Sequence, residues 1–378
     1  MPSADIIVIG AGIAGASAAA ELAADADVLL LEMEEQPGYH ATGRSAAYFA
    51  AAYGKKVVRD FTACCEGFFR QPPDGFSEVE LMRPRDCMFF ARADQEAQLR
   101  ALQQDNPALV RLSADEVLAR VPVFAADYLH GGLYESRGGD LDVDAILQGY
   151  VRLFRRRAGR LLVAHAVTSL RCENGCWKLM AGGASFEAPV VINAAGAWVD
   201  RIASLAGLLP LGMRPLRRTA LTVAPPAGMD VSDWPNMLDA DEDFYFKPEA
   251  GQILISPADE TPSEPCDAQP DDYDVALGVD RFERATRLDI RHVISRWAGL
   301  RTFAPDRVFV AGFDPRSQGF FWLAGQGGYG IQSAPAMAQL TRFLVQGFEP
   351  DPAFNIVREH VAAVAPDRLL RLEPGVTA

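Results

Sequence analysis

The sequence predicts an α/β protein in which a parallel-sheet domain is interrupted by an α+β domain built on an antiparallel sheet. Three observations predict it. A βαβ unit opens the 378-residue chain, further strand–glycine–helix segments stand near its middle and its end, and segments of period-two hydrophobicity lie between them. A chain this long is also suited to two domains of roughly 100–200 residues each.

Residues 6–9 form an apolar β-branched run, 14–24 an alanine-rich helix and 28–31 a second buried strand. Residues 38–54 are rich in Gly, Ala, Ser and Tyr without periodicity, as in an ordered loop that reaches a ligand. A helix over 55–70 and an alternating strand pattern over 76–91 follow. Helices are predicted over 95–103 and 114–121, the second opened by a capping box from Ser113 to Glu116. Another helix covers 142–157. Strands then fall at 161–170, 176–180 and 190–192, with Asn174-Gly175 at a hairpin tip between Cys172 and Cys176.

Residues 218–223, 244–247 and 252–255 alternate with period two, and the Pro- and Asp-rich stretches 225–235 and 257–274 read as loops. A strand at 308–311, a glycine turn at 325–330 and a helix over 331–345 closed by Gly347 complete the chain. The first domain is therefore predicted to be discontinuous, over 1–48, 139–212 and 302–378. The second occupies 49–138 and 213–301.

Composition excludes several function classes. Apolar residues make up 49% and charged residues 23%, with mean hydropathy +0.01, as in a globular protein. The net charge of −14 repels nucleic acid, and the one basic run, Arg155 to Arg157, falls at a helix C-terminus. Six cysteines without CxxC spacing predict neither zinc nor a disulfide framework. The apolar stretch 6–22 is broken by glycines and lacks a basic leader, so no membrane segment and a cytoplasmic location are expected.

Gly10-Ala11-Gly12-Ile13-Ala14-Gly15 fits GxGxxG, follows a strand and opens a helix, and Glu32 ends the next strand. In such a Rossmann-like unit the first glycine makes the turn, the second admits a pyrophosphate and the third packs helix on strand. Glu32 would accept bonds from ribose hydroxyls, which disfavours a ribose phosphate. FAD and NAD both use this arrangement.

Residues 190–198 (Val-Val-Ile-Asn-Ala-Ala-Gly-Ala-Trp), 297–301 (Trp-Ala-Gly-Leu-Arg) and 320–332 join that unit in a pattern that resembles the D-amino-acid oxidase superfamily of FAD oxidoreductases over nearly the whole chain. Residues 36–40 (Gln-Pro-Gly-Tyr-His), 42–47 (Thr-Gly-Arg-Ser-Ala-Ala), Trp234-Pro235 and 325–332 (Gly-Gln-Gly-Gly-Tyr-Gly-Ile-Gln) are most similar to bacterial D-arginine dehydrogenases. The resemblance implies FAD as cofactor, extended between the first and last segments. It adds Gly43, Arg44, Ser45 and Ala46, then Val167, Ala195, Gly196 and Trp198, to the cofactor-binding residues. Arg301, Gly327, Gly328, Tyr329, Gly330, Ile331 and Gln332 complete that set. Gly327, Gly328 and Gly330 free backbone N–H donors at a helix N-terminus, where an anionic reduced flavin is favoured.

Oxidising an α-amino acid requires a carboxylate anchor, a hold on the amine and a dry pocket. Arginine suits the anchor because its planar fork grips a carboxylate twice. Arg217 and Arg218 point to opposite faces of a strand, so at most one lines a cavity. The resemblance assigns the anchor to Arg218 with Arg301, substrate contacts to Tyr245 and the lid residue Tyr53, and an amine-binding carbonyl to Gly328.

Departures from the family pattern bear on substrate. Cys87 stands where D-arginine dehydrogenases carry a glutamate for the cationic side chain, Tyr48 replaces a histidine and Ala50 a threonine. A neutral pocket end is therefore expected, with Asp86 turned away on its strand and cationic substrates disfavoured. His40 lies in a His-Ala-x-Gly run like that of dimethylglycine dehydrogenases, whose histidine is flavin-linked; the closer relatives share it and bind FAD non-covalently, as expected here.

The predicted reaction is oxidative deamination of a D-amino acid with a neutral or apolar side chain. A glycine or sarcosine-type amine oxidase, a flavin-carrying subunit of a larger complex and a 2-hydroxy acid oxidoreductase are the alternatives. The electron acceptor, whether quinone, another carrier or O2, is open.

Overall fold

The computed structural model describes residues 3–370. A six-stranded sheet has the order Val310–Phe313, Phe320–Ala324, Val190–Asn193, Ile6–Ile9, Val28–Leu31, Arg160–Leu162, and all its pairings are parallel except the first. The apolar runs have side chains on both faces, and period two divides them between two cores. Ile6, Val8, Val28 and Leu30 pack under helices Ile13–Leu22, Val143–Arg156 and Gly330–Gln346. Ile7, Ile9, Leu29 and Leu31 instead meet a three-stranded meander, Val167–Glu173, Cys176–Ala181 and Ala184–Ala188, around the buried Trp177.

A second sheet of nine strands carries the segments 87–135 and 214–303. Strand Val293–Phe303 pairs with Arg214–Val223, which also pairs with the short Thr261–Pro262 and with Gln252–Ser256; Tyr245–Glu249, Asn236–Asp239, Cys87–Ala91, Gly131–Glu135 and Val110–Ser113 then follow across the sheet. Only the pairing of Asn236–Asp239 with Cys87–Ala91 is parallel. One face is closed by a core that includes Met88, Phe90, Met237, Phe246 and Phe282. The other face, bearing Tyr245, Asn236 and Cys87 on alternate positions, turns toward the six-stranded sheet.

Local signals held where chemistry was explicit. Ser113 accepts from the Glu116 amide in the predicted capping box, Asn174 and Gly175 take positive φ at the hairpin tip, and Gly347 ends its helix in the left-handed region. Several boundaries differ. The helix over 55–70 is two, Lys56–Ala63 and Glu66–Arg70, and these bury Val58, Phe61 and Phe69 in the helical core of the six-stranded sheet, not on the substrate side where the sequence grouped them. The pattern over 76–91 yields only Met82–Pro84 and Cys87–Ala91. The stretch 161–170 divides at Ala164, where φ is 54° and the amides of Ala164 and His165 bond the carbonyls of Glu34 and Glu32. Helix Asp272–Ala285, capped by the Asp271 side chain, begins inside the segment read as a loop, because its first turn is acidic rather than apolar.

Candidate active site

A cavity of about 590 Å³ runs from the carboxyl ends of the parallel strands to the nine-stranded sheet. Gly10, Gly12, Ile13, Ala14 and Glu32 line one end, and Arg301, Gly327, Gly328, Gly330 and Ile331 line the other, beside Arg218 and Tyr245. Arg44, Ser45, Ala46, Val167, Ala195, Gly196 and Trp198 also reach it.

The three motif glycines have different physical reasons. Gly10 has φ +101°, and a Cβ there would lie 2.6 Å from the Ala194 carbonyl oxygen; one at Gly15 would lie 1.8 Å from the Gly10 oxygen. Those two are required by the fold. A Cβ at Gly12 would meet only Thr42 Oγ1, at 3.3 Å, so its missing side chain leaves room for a ligand. Glu32 holds the turn as well as the cavity: Oε2 accepts from the Ala11 amide at 2.7 Å and Oε1 from the Glu34 amide at 3.0 Å. Burial pushes its carboxyl upward, against those backbone donors.

Four residues of the predicted cofactor set do not line this cavity. Gly15 packs on Gly10, and Gly43 closes the loop by donating to the Gly38 carbonyl at 2.7 Å. The Tyr329 ring lies between Tyr53 and Phe309, at 5.2 and 6.2 Å. Gln332 accepts from the Ala50 amide and donates to Thr62 Oγ1 at 3.0 and 2.9 Å, on a smaller cavity. Sequence reasoning missed Thr42, whose Oγ1 receives the Ile13 amide at 3.0 Å at the helix entry, and it missed Thr302 and Gln326 on the cavity wall. Thr302 Oγ1 and Gln326 Nε2 are buried without partners among the described residues, as polar groups awaiting a ligand would be. Only the hydroxyl of Thr42, next to Gly43 in the glycine-rich loop, could have been suspected from a sequence.

At the sheet end, alternation sends Arg217 outward to Asp274 Oδ2 at 2.8 Å and Arg218 inward. Arg218 Nε donates to the Asp259 carbonyl at 2.8 Å and Nη2 to Glu260 Oε1 at 3.2 Å. The Arg301 guanidinium has no hydrogen bond or ion pair among the described residues, although it is enclosed by protein. Burial and the Arg301 charge lower Arg218; burial lowers Arg301 too, but the hydroxyls of Tyr245, Tyr53 and Tyr329 with Glu260 outweigh it. The paired cations likewise overcome the effect of burial on Tyr245 and bring it below the usual phenol range. Gly328 packs against the guanidinium: a Cβ there would stand 3.0 Å from Arg301 Nη1.

A smaller cavity of about 80 Å³ shares Ser45, Ala46, Arg218, Tyr245, Arg301 and Gly328 with the large one and extends to Tyr48, Ala50, Tyr53, Asn236, Leu238, Phe244 and Lys247. Cys87 does not line it. The thiol is fully buried one strand further out, closed off by Tyr48 and Asn236, so its expected place at the pocket end is corrected: the pleat gives it the right face, but Asn236 on the neighbouring strand intervenes. Tyr48 does line the cavity, with its hydroxyl donating to the Arg85 carbonyl at 2.8 Å. Asp86 is turned away, as expected, accepting from Tyr134 Oη at 2.6 Å. Lys247 is neutralised by Asp140, at 3.0 Å, and by Glu249. Glu242, the one acid among the described lining residues of this cavity, is exposed and 3.4 Å from Tyr53 Oη.

A glycine-cradled cavity leading to a pair of arginines and a tyrosine defines the site of a dinucleotide-dependent oxidoreductase. The family model of FAD-dependent oxidoreductases, DAO, matches residues 5–344, and the chain belongs to that family. L-2-hydroxyglutarate dehydrogenase of Escherichia coli K12 is 28% identical over 218 residues, 54% of this chain and 50% of that protein, so the chain is matched to about half the length of that curated relative. The structure of glycine oxidase from Geobacillus kaustophilus superposes with a TM-score of 0.82 at 21% identity, covering 95% of this chain and 99% of that one. L-α-glycerophosphate oxidase from Mycoplasma pneumoniae, solved with FAD bound, gives 0.82 at 16% identity over 94% and 98%. The fold is thus the Rossmann-like FAD domain joined to a sheet substrate domain, and the protein is an FAD-dependent enzyme. The open face at Gly12 and the unpartnered Thr302 and Gln326 fit that cofactor. Among the described residues no helix is long and apolar enough to cross a membrane, and no cluster of His, Cys, Asp and Glu could hold a metal ion.

Proposed function

We propose that the protein oxidises the C–N bond of a D-amino acid with an uncharged side chain, giving an imine that hydrolyses to a 2-keto acid and ammonia. One observation carries the reading: the enclosed Arg301 guanidinium, without a hydrogen bond or ion pair among the described residues, beside Arg218 and Tyr245. A buried charge is tolerated only with a counter-ion, and a substrate carboxylate supplies one with the geometry a guanidinium prefers. Bound FAD supplies N5 as acceptor of the hydride from Cα. Arg301 and Arg218 hold the carboxylate, the Gly328 carbonyl accepts from the amine, and Tyr53 and Tyr329 help exclude water.

Amine rather than alcohol chemistry is supported by the titratable groups. An α-ammonium is acidic enough to lose its proton to water before hydride leaves Cα, whereas the far less acidic O–H of a 2-hydroxy acid needs a base in place as the hydride leaves. The histidines on the large cavity, His40 and His165, are at the Glu32 end, away from Arg301. The side cavity supports a substrate larger than glycine, which would leave it unfilled. Its neutral preference rests on different residues from those expected: the acids near its far wall, Asp140 and Glu249, already pair with Lys247. The D configuration rests on the resemblance to D-arginine dehydrogenases through 325–332. Non-covalent FAD is favoured by His40, whose Nε2 lies 2.8 Å from Glu34 Oε1 and whose ring packs 4.6 Å from Trp198.

Initial rates with an artificial electron acceptor test the reading. D-methionine should exceed L-methionine, glycine, D-arginine and the 2-hydroxy analogue of methionine in kcat/KM. Faster turnover of the hydroxy analogue would refute it.

A further inference from the structure

The far wall of the smaller cavity carries a polar group that the protein leaves unanswered. Asn236 opens strand Asn236–Asp239, is 4% exposed and lies one strand over from Tyr245, which pairs in register with Leu238. Its side chain lies beside the thiol of Cys87, its register partner on the other side. Oδ1 has no partner among the described residues. A buried amide seldom lacks a partner, and on the wall of a binding cavity the missing partner is a ligand atom.

The surroundings restrict that atom's chemistry. Leu238 and Phe244 are apolar, the Tyr48 hydroxyl donates its hydrogen bond to the Arg85 carbonyl, and the Lys247 charge is balanced by Asp140 and Glu249. Apart from the exposed Glu242 beside Tyr53 and the arginines assigned to the carboxylate, neither a cationic nor an anionic terminus finds an unpaired counter-ion among the described lining residues. We infer that Asn236 is a specificity-determining residue and that the preferred substrate ends in an uncharged hydrogen-bonding group, a carboxamide or a hydroxyl. Such groups carry donor and acceptor together, so they satisfy the Asn236 amide whichever way it is turned. The inference rests on the amino-acid reading above and adds to it the identity of the side chain.

Isosteric pairs isolate the group. Anaerobic reduction of the bound flavin is followed with D-asparagine against D-leucine and D-threonine against D-valine, in the unmodified holoenzyme and in Asn236→Leu. The polar member of each pair should reduce the flavin with at least tenfold higher efficiency, and Asn236→Leu should reverse the order while keeping its flavin and melting temperature. Equal reduction within both pairs, an apolar preference, or a polar preference that survives Asn236→Leu overturns the inference while leaving amino-acid oxidation intact. If Asn236→Leu does not fold, the unmodified enzyme's order within both pairs decides alone. Failure of every amino acid to reduce the flavin, with reduction by a 2-hydroxy acid, overturns the underlying reading instead.

Discussion

Arg301 and Arg218 differ in what holds them, and this sets their weights. Arg218 keeps two protein acceptors, while the Arg301 fork is left for substrate. Arg301→Met should lower kcat/KM by roughly a hundredfold or more, the equivalent of a charge-assisted bond of about 3 kcal/mol. Arg218→Met should cost less in catalysis and also release Glu260, which Arg307 continues to hold. Steady-state kinetics of the two variants check the order, and a larger loss in Arg218→Met would exchange their roles. That at most one of Arg217 and Arg218 lines the cavity was legible because adjacent residues on a strand diverge; the choice of Arg218 came from the family resemblance. The place of Cys87 was not, because a single strand cannot reveal which neighbour stands between its face and a cavity. Asn236 gave no sequence signal at all; only the sheet order brings it beside Tyr245.

At the scale of an element, the first βα turn was readable because each glycine answers a steric demand that GxGxxG encodes. Gly12→Val should abolish flavin binding and leave far-ultraviolet circular dichroism unchanged, since the added side chain meets Thr42 Oγ1 rather than backbone. Retained flavin would show that Gly12 only shapes the turn. The hairpin Val310–Phe313 and Phe320–Ala324 offers a second test. The buried Asp314 carboxylate accepts from Trp322 Nε1 at 2.9 Å and from Arg316 Nε at 2.9 Å. Burial raises its carboxyl, but Arg316 and Trp322 bring it below the ordinary range. A depressed carboxyl adds stability above about pH 4 and loses it as pH falls through the lower folded value. Asp314→Asn should therefore destabilise by about 2 kcal/mol at pH 7, and denaturant titrations should find the gap narrowing below about pH 4. Helix Asp272–Ala285 and strand Val293–Phe303 escaped the sequence reading for the opposite reason. Their solvent faces are so polar that periodicity is faint, and tertiary pairing, as along Arg214–Phe303 to Thr222–Ser295, fixes them.

The two largest of the sheets line one cavity from opposite ends, so bound FAD would bridge them as well as react. Protein stripped of flavin should melt lower, and FAD at a hundred times its Kd should restore about 2.7 kcal/mol. Acid or heat should release intact FAD, and flavin remaining on the denatured chain would contradict the non-covalent reading. That one parallel sheet draws its strands from residues 6–31, 160–193 and 310–324 was foreseeable from parallel-type units at the start, middle and end of the sequence. The packing of 56–70 was not, because an amphipathic helix does not say which of two sheets it covers.

The most direct test of the central claim is anaerobic mixing of the yellow holoenzyme with D- and L-amino acids, glycine and 2-hydroxy acids, with absorbance followed near the flavin maximum and ammonia measured afterwards. The account predicts rapid bleaching by uncharged D-amino acids, with one ammonia and one 2-keto acid formed per flavin reduced. Bleaching by 2-hydroxy acids alone, without ammonia, would contradict it.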